Sequence, residues 1–419
     1  MGAANVSISK VLKTIYQGPA DIAQYIYSDV VYGLANKSQN MKGDVTSVIA
    51  RYAKTGGVSH TFNKAKANKS PSLKAKFQVT RSRLYGVWGV DGELIEAADG
   101  EGAVINAVKE EFDEAMNAFA YRLHMNIHGN RGGARGQISA GSTVSSTTIT
   151  LLEPNDIVNF EVGMVLQTST ADGTSGTVKT GTVTVSAVNR TTGTITASAA
   201  WNAGIPTVAA SDYLFVEGDW GQAFYGLGDI NPITAPSPSE SFWGQDRSID
   251  VERLAGTRTT DSGLNLPEAV MKLVQMTNRN IMDGKYVDTI VMNDARFRHF
   301  EYALGGASKE RAVMTQATGF TTREGKKVDV NVGYAGIQVS TNRGPAVVYP
   351  SVFCPYSVVR CFRKDRLFFG SAGAVPIIEG KNDKDMMLQE DADAKEGRLK
   401  AYGNTYTNTP GAFGVMTLA

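Results

Sequence analysis

Apolar positions recur with two different periods along this chain, and the period changes mark its parts. After Gly18 and Pro19, Ile22, Ile26, Val30 and Leu34 return every fourth residue, which predicts a short amphipathic helix with proline in its first turn. From Val45 to Val90 the pattern becomes β-branched residues alternating with Lys and Arg, which predicts two long strands and a mobile tip around Asn63 to Pro71. Val104, Ile105, Val108, Phe112, Met116, Phe119, Leu123 and Ile127 then follow the helical period. They predict a helix from about Glu101 to His128, roughly 40 Å long at 1.5 Å per residue, with Gly129 placed to end it.

Between Gln137 and Glu217 the period is two again. "TVTVSAVNRTTGTITASAA" alternates around an Asn-Arg-Thr-Thr-Gly turn, and "ADGTSG" and "NAGIP" are further breaks, so a separate small β module is expected here. The Pro- and Ser-rich stretch "NPITAPSPSESFWG" looks like a linker. An α/β unit follows: a helix from Pro267 to about Asp283, a strand in "YVDTIVM", and a helix starting near Asp294. Short apolar strands, "VDVNV", "GIQVS", "AVVYP", "YSVVRCF" and "RLFFG", occupy residues 328–370.

Composition narrows the classes. The chain has 419 residues, 42% of them hydrophobic and 20% charged, which is globular and long enough for two to four domains. The net charge of +1 excludes a polybasic nucleic-acid binder acting through its total field. Two cysteines, Cys354 and Cys361, form no disulfide framework, and their spacing matches no common zinc motif. The N-terminal "MGAANVSISK" has no apolar h-region, Val6 stands where a myristoylation motif has Ser or Thr, and no run of about 18 apolar residues occurs. No membrane partner and a cytoplasmic site of synthesis are therefore expected.

Catalytic motifs are missing. His124 and His128 stand one helical turn apart, as two imidazoles on one metal would, but Met125 replaces the general-base Glu of a zincin helix and only His60 and His299 remain. The pair is read as polar residues at a helix end, with no metal. Neither G-x-G-x-x-G, G-x-x-x-x-G-K-[ST] nor G-x-S-x-G occurs, and "GLGDIN" has Asn231 where a third glycine is needed. No enzyme and no cofactor are expected.

Charge is where the chain departs from an ordinary globular pattern. Arg51, Lys54, Lys64, Lys66, Lys69, Lys74, Lys76, Arg81 and Arg83 are nine bases with no acid between Asp44 and Asp91. Asp91, Glu93, Glu96, Asp99, Glu101, Glu110, Glu111, Asp113 and Glu114 follow, with Lys109 the sole base before Arg122. Like charges across paired strands repel, and an isolated ribbon is marginal in water, so a long one-sign ribbon suggests an acidic support. Sequence adjacency keeps it off its own root, which leaves the acidic stretch of another copy. Single exposed ion pairs contribute roughly 0 to 1 kcal/mol, so only many such contacts in a lattice would matter.

The order of parts, N-terminal arm, long basic two-stranded loop, long helix, inserted β module, α/β unit and closing β region, resembles the major capsid proteins of tailed double-stranded DNA phages, with the Hong Kong 97 type of fold. The stretches "SFWGQDRSIDVERLAGTR" and "LPEAVMKLVQMTNRNIMDGKYVDTIVMNDARFRHFEYALGG" look like their axial-domain sequence. The resemblance implies an α+β chain with an arm (1–41), an extended E-loop (42–98), a peripheral-domain spine helix (99–136), an inserted small β-barrel-like domain (137–217), an axial domain (218–325) and returning strands (326–419). It implies a homo-oligomer of hexamers and pentamers in a virion, assembled in the host cytoplasm with scaffolding and portal proteins, and weak contact with packaged double-stranded DNA. A decoration protein is a further partner of such shells. Lys64, Lys66 and Lys69 lie near the loop tip, where some members of that family cross-link, but no partner Asn can be assigned. The alternatives are an encapsulin-like compartment shell, which is usually shorter and lacks such an insertion, and an extracellular adhesin or surface-layer protein, which would need an export signal.

Overall fold

The computed structural model of the chain describes residues 29–41, 43–92, 107–261, 263–307, 314–316, 335–379, 387–388 and 393–418. The part of the first expected helix before residue 29 and the "VDVNV" strand lie outside them. The described chain starts with a short helix, α1 (Val30–Leu34), and strand β1 (Asn36–Ser38). Strands β2 (Val45–Arg51) and β3 (Lys74–Thr80) flank a tip that holds a short helix, α2 (Phe62–Ala67). β4 (Ser82–Asp91) precedes the long helix α3 (Ala107–His128). Six strands come next, β5 (Gly136–Gln137), β6 (Thr148–Thr150), β7 (Val165–Ser169), β8 (Val183–Asn189), β9 (Thr194–Ala197) and β10 (Tyr213–Val216), with one helical turn, α4 (Trp201–Gly204), before the last.

After α5 (Leu227–Ile230) come β11 (Ser241–Phe242), β12 (Gln245–Asp246), α6 (Val251–Ala255) and β13 (Thr257–Thr260). Helix α7 (Leu266–Asn280), strand β14 (Thr289–Asn293) and helix α8 (Asp294–Ala307) form the predicted α/β unit. The remaining strands are β15 (Met314–Gln316), β16 (Ala335–Ser340), β17 (Pro345–Ser351), β18 (Val358–Phe362), β19 (Phe368–Ser371), β20 (Ile377–Glu379), β21 (Met387–Leu388), β22 (Ala394–Tyr406) and β23 (Phe413–Thr417).

Two compact units share these elements. Among the described residues the smaller contains 84–92, 107–123, 374–379, 387–388 and 393–401. Its sheet is built on the first part of β22, which pairs with β4, β20 and β21. Phe112, Phe119 and Leu123 recur at helical spacing along α3 and supply its apolar stripe. Phe119 and Leu123 are buried, and the Phe112 ring meets the Trp88 indole edge-on at 5.7 Å. The helix approaches the sheet closely because Gly86 leaves room: a Cβ there would sit 3.2 Å from the Phe119 ring.

The larger unit contains residues 29–83, 124–373 and 402–418 among those described. Its seven-stranded sheet runs β13-β23-β18-β14-β17-β16-β15, with parallel pairs at β13/β23 and β14/β17. Every residue of β14 and β18 is buried, as strands covered on both faces require. Helix α7 buries Ala269, Val270, Leu273, Val274 and Thr277, and packs on β13 and β23. A separate six-stranded sheet runs β5-β10-β7-β8-β9-β6 around Ile138, Phe160, Leu166, Trp201 and Leu214. Its first and last strands are joined as well, by Ser139 N–H to Thr150 O (2.9 Å) and Leu152 N–H to Gln137 O (2.8 Å). The expected Asn-Arg-Thr-Thr-Gly turn links β8 to β9. Asn189 Oδ1 accepts from the N–H groups of Thr191 and Thr192, and Gly193 takes a φ of 66°.

Several details differ from the sequence expectations. The second long strand divides at Arg81: β3 pairs with β2, whereas β4 pairs with β22. The tip contains helix α2. The Pro- and Ser-rich stretch ends in β11, and its Phe242 and Trp243 are buried in a core cluster.

Candidate assembly interface

Strands β2 and β3 alternate so that one face is apolar, and the register places these residues together. Val48 faces Phe77, Ala50 faces Ala75, and all four are buried with Val79. That face rests on the larger unit's own aromatic cluster: Phe77 meets Phe242 at 5.9 Å and Trp243 at 6.3 Å, both edge-on, and Tyr225 lies 5.0 Å from Trp243. Gln78 N–H donates to Trp243 O at 3.0 Å. Trp243 holds a φ of 48°, a strained value for a bulky residue, which the surrounding packing imposes. The hairpin base is thus supported inside its own unit, and an acidic surface is not what holds these strands together.

The opposite face carries the bases. Arg51 faces Lys74, and Lys76 faces Ile49, which is 58% exposed. Lys54, Lys64, Lys66 and Lys69 sit on the tip, which is closed by Tyr52 N–H to Leu73 O (3.2 Å) and Gly56 N–H to Ser70 O (3.2 Å). The same tip exposes Val58 (94%) and Phe62 (80%). Arg81 and Arg83 lie beyond β3, and Arg81 pairs loosely with Asp44 at 3.8 Å. The other eight bases form no ion pair within the described residues of the larger unit. Exposed large apolar groups interleaved with unpaired cations are what a surface awaiting a partner presents.

Of the acidic set, Glu93, Glu96, Asp99 and Glu101 lie outside the described residues, and Glu110 is placed only as a backbone position in α3. Asp91 is exposed at the end of β4, Glu114 is exposed on α3, and Glu111 and Asp113 are partly buried. Glu114 falls on the side of α3 away from Phe112 and Phe119 by helical spacing. All nine bases belong to the larger unit and these four described acids to the smaller.

The histidine pair of α3 has partners that the sequence did not disclose. Asp29 caps α1, accepting at Oδ2 from the N–H groups of Val31 (3.1 Å) and Tyr32 (3.3 Å). The same oxygen lies 2.9 Å from His128 Nε2, and both side chains are 1% exposed. Ser351 Oγ donates to Asp29 Oδ1 at 2.7 Å and lies 3.2 Å from His128 Nε2. Asp29 N–H donates to His124 Nδ1 at 3.3 Å. Burial works against a charged imidazole, but the Asp29 carboxylate outweighs it and raises the His128 pKa to about 9. Burial likewise opposes the Asp29 carboxylate, and the His128 cation outweighs it, holding the carboxyl below its ordinary value. Serine and aspartate meet the same imidazole nitrogen, so no proton relay passes from one ring nitrogen to the other as nucleophile activation needs. Among the described residues no group of three or more His, Cys, Asp or Glu could hold a metal ion.

No protein-family model matches the chain, and no curated protein matches it. Solved structures do. A chain of the cyanophage A-1(L) capsid asymmetric unit superposes with a TM-score of 0.52 at 11% identity, over 96% of this chain and 95% of that one. A capsid chain of an empty GTA particle gives 0.47 at 9% identity over 100% and 99%, and a chain from Mycobacterium phage Bobi gives 0.42 at 11% over 99% and 99%. The fold comparison rests on the first of these. The chain is an α+β protein with the fold of a phage capsid protein, as the order of its parts implied.

Proposed function

We propose that this chain is the major capsid protein of a tailed double-stranded DNA phage and assembles into the hexamers and pentamers of an icosahedral head. The observation that carries this reading is the likeness to the cyanophage capsid chain, which runs through almost the whole of both chains. The base-rich hairpin face, with Ile49 and Phe62 exposed, supplies a surface for a neighbouring subunit. In this reading residues 42–98 are the E-loop, whose bases Arg51 to Arg83 meet the acidic residues Asp91 to Glu114 of another copy. Helix α3 is the spine of the peripheral domain, and the α7-β14-α8 segment belongs to the axial domain. The six-stranded unit is an inserted β-barrel-like domain that faces outward, as a contact between subunits or a seat for a decoration protein. Near-neutral total charge suits a wall that touches packaged DNA only weakly, because phosphate affinity grows with each neutralised contact. The role is structural, with no reaction catalysed.

Negative-stain microscopy and sedimentation of the expressed protein, alone and with the products of neighbouring genes, test this directly. Closed shells of uniform size are expected. A monodisperse single subunit at high concentration, with those products present, overturns the reading.

A further inference from the structure

The buried polar cluster at the end of α3 lies apart from the hairpin face, and its chemistry is of another kind. Three segments far apart in sequence converge on one imidazole: Asp29 is 99 residues from His128, and Ser351 is 223 residues from it. Asp29 does two things at once, capping α1 through Oδ2 and meeting His128 with that same atom. Any loss of the His128 charge therefore leaves a carboxylate buried without a counter-ion at the point where α1 begins. We propose that the Asp29–His128–Ser351 cluster is a proton-operated clasp: with His128 charged it holds α1 against the end of α3 and the end of β17, and loss of one proton from His128 releases α1, while β1 stays paired with β19.

Among the titratable groups around the cluster, His128 is the cation in contact with the Asp29 carboxylate, and burial also holds the Lys37 ammonium below its ordinary value, so Asp29→Asn is the variant that separates the two. From α1 the cluster is faced by Asp29 and Tyr32, and from α3 by His124 and His128, with the Tyr32 and His124 rings 5.0 Å apart. β17 and the turn after it contribute Ser351, Phe353 and Cys354. The Phe353 ring stacks on His128 at 6.5 Å. The Cys354 thiol beside the ring favours the cation. From β1, Lys37 Nζ lies 3.9 Å over the Tyr32 ring, on the Tyr32 side of the cluster. The charged imidazole carries hydrogens on both nitrogens. Nε2–H donates to Asp29, so the Nδ1 hydrogen is the one given up to hydroxide.

The sign follows from the two directions of shift. His128 is raised from 6.5 to about 9, so its contribution is complete below about 6.5 and is lost as pH rises through about 9. Asp29 is lowered from 3.8, so its contribution is lost only as pH falls below that value. The clasp is closed across the neutral range and opens on the alkaline side.

Hydrogen exchange read by mass spectrometry on the full-length protein between pH 7 and 10, corrected for the intrinsic base-catalysed rate, tests the clasp whether or not the chain assembles. Peptides covering α1 should lose about tenfold or more in protection, while those covering α7 keep theirs. In Asp29→Asn, which keeps a capping oxygen and removes the charge, the alkaline loss should vanish. His128→Gln should show the open state at pH 7. Equal protection of α1 at pH 7 and pH 10 in the wild type overturns the clasp, and so does an undiminished alkaline loss in Asp29→Asn.

Discussion

Arg51 and Lys74 stand directly opposite each other across the hairpin, both exposed, on the face turned away from the aromatic cluster. Like charges in this position destabilise a strand pair, so the hairpin alone gains nothing from this arrangement. Lys74→Glu would replace the repulsion by an opposite-charge pair with Arg51 and stabilise the fold by roughly 0.2–1 kcal/mol. With Lys76→Glu added, the subunit should stay folded while closed shells fail to form. Thermal melting and electron microscopy of the same double variant check both halves, and normal particles with unchanged salt resistance would remove the loop-to-helix pairing from the proposal.

Trp243 is the principal support of the hairpin base. Trp243→Ala removes its contacts with Phe77, Phe242 and Tyr225 and should cost ~3–5 kcal/mol, visible as a lower urea midpoint. The backbone acceptor of Gln78 N–H stays in place, but with the packing under β3 lost its amide hydrogens should exchange faster than those of α7.

Asp156 gives a pH dependence of the opposite origin to that of His128. Burial, reinforced by the nearby Glu153, pushes its carboxyl up to about 7. A raised acid binds its proton more tightly when folded, so stability falls as pH rises from about 4 to 7 and is level above that. Asp156→Asn should raise the melting temperature at pH 8, by the equivalent of a few kcal/mol at most, and leave it unchanged at pH 4. A gain of equal size at both values would contradict the assignment.

Gly397 in β22 has no room for a side chain, since a Cβ would run into the Trp88 indole. Gly397→Ala should cost ~1–3 kcal/mol by overpacking, measured by denaturant titration. Gly218, where a Cβ meets nothing within 4 Å but φ is 82°, should respond to Ala through backbone strain alone, by about 1 kcal/mol.

Where local pattern decides structure, the sequence was readable. The end of α3 at His128 followed from a 3.6-residue period and a glycine, and the β8-β9 turn from its Asn-to-Gly spacing. Helix α7 and strand β14 were likewise set by caps and apolar runs, although α7 stops at Asn280 instead of continuing to Asp283. Helix α2 was missed because "FNKAKA" has no apolar face to bury and every residue but Ala65 is exposed. The break at Arg81 was invisible because the polar alternation continues unchanged while the strands change sheets. Asp29 and Ser351 could not be attached to His128 from sequence, since nothing local links positions so far apart. The same holds for Trp243 under the hairpin: a composition that suggested a linker concealed the residues on which β3 rests.

The six-stranded body is entered through β5 and left through β10, and those two strands are neighbours, with Gln137 opposite Tyr213. A chain that comes in and goes out side by side makes a cassette: about 80 residues can be gained, lost or exchanged for a short turn without re-routing what precedes or follows. That geometry makes this body the natural position for grafting a foreign peptide or fusing a reporter.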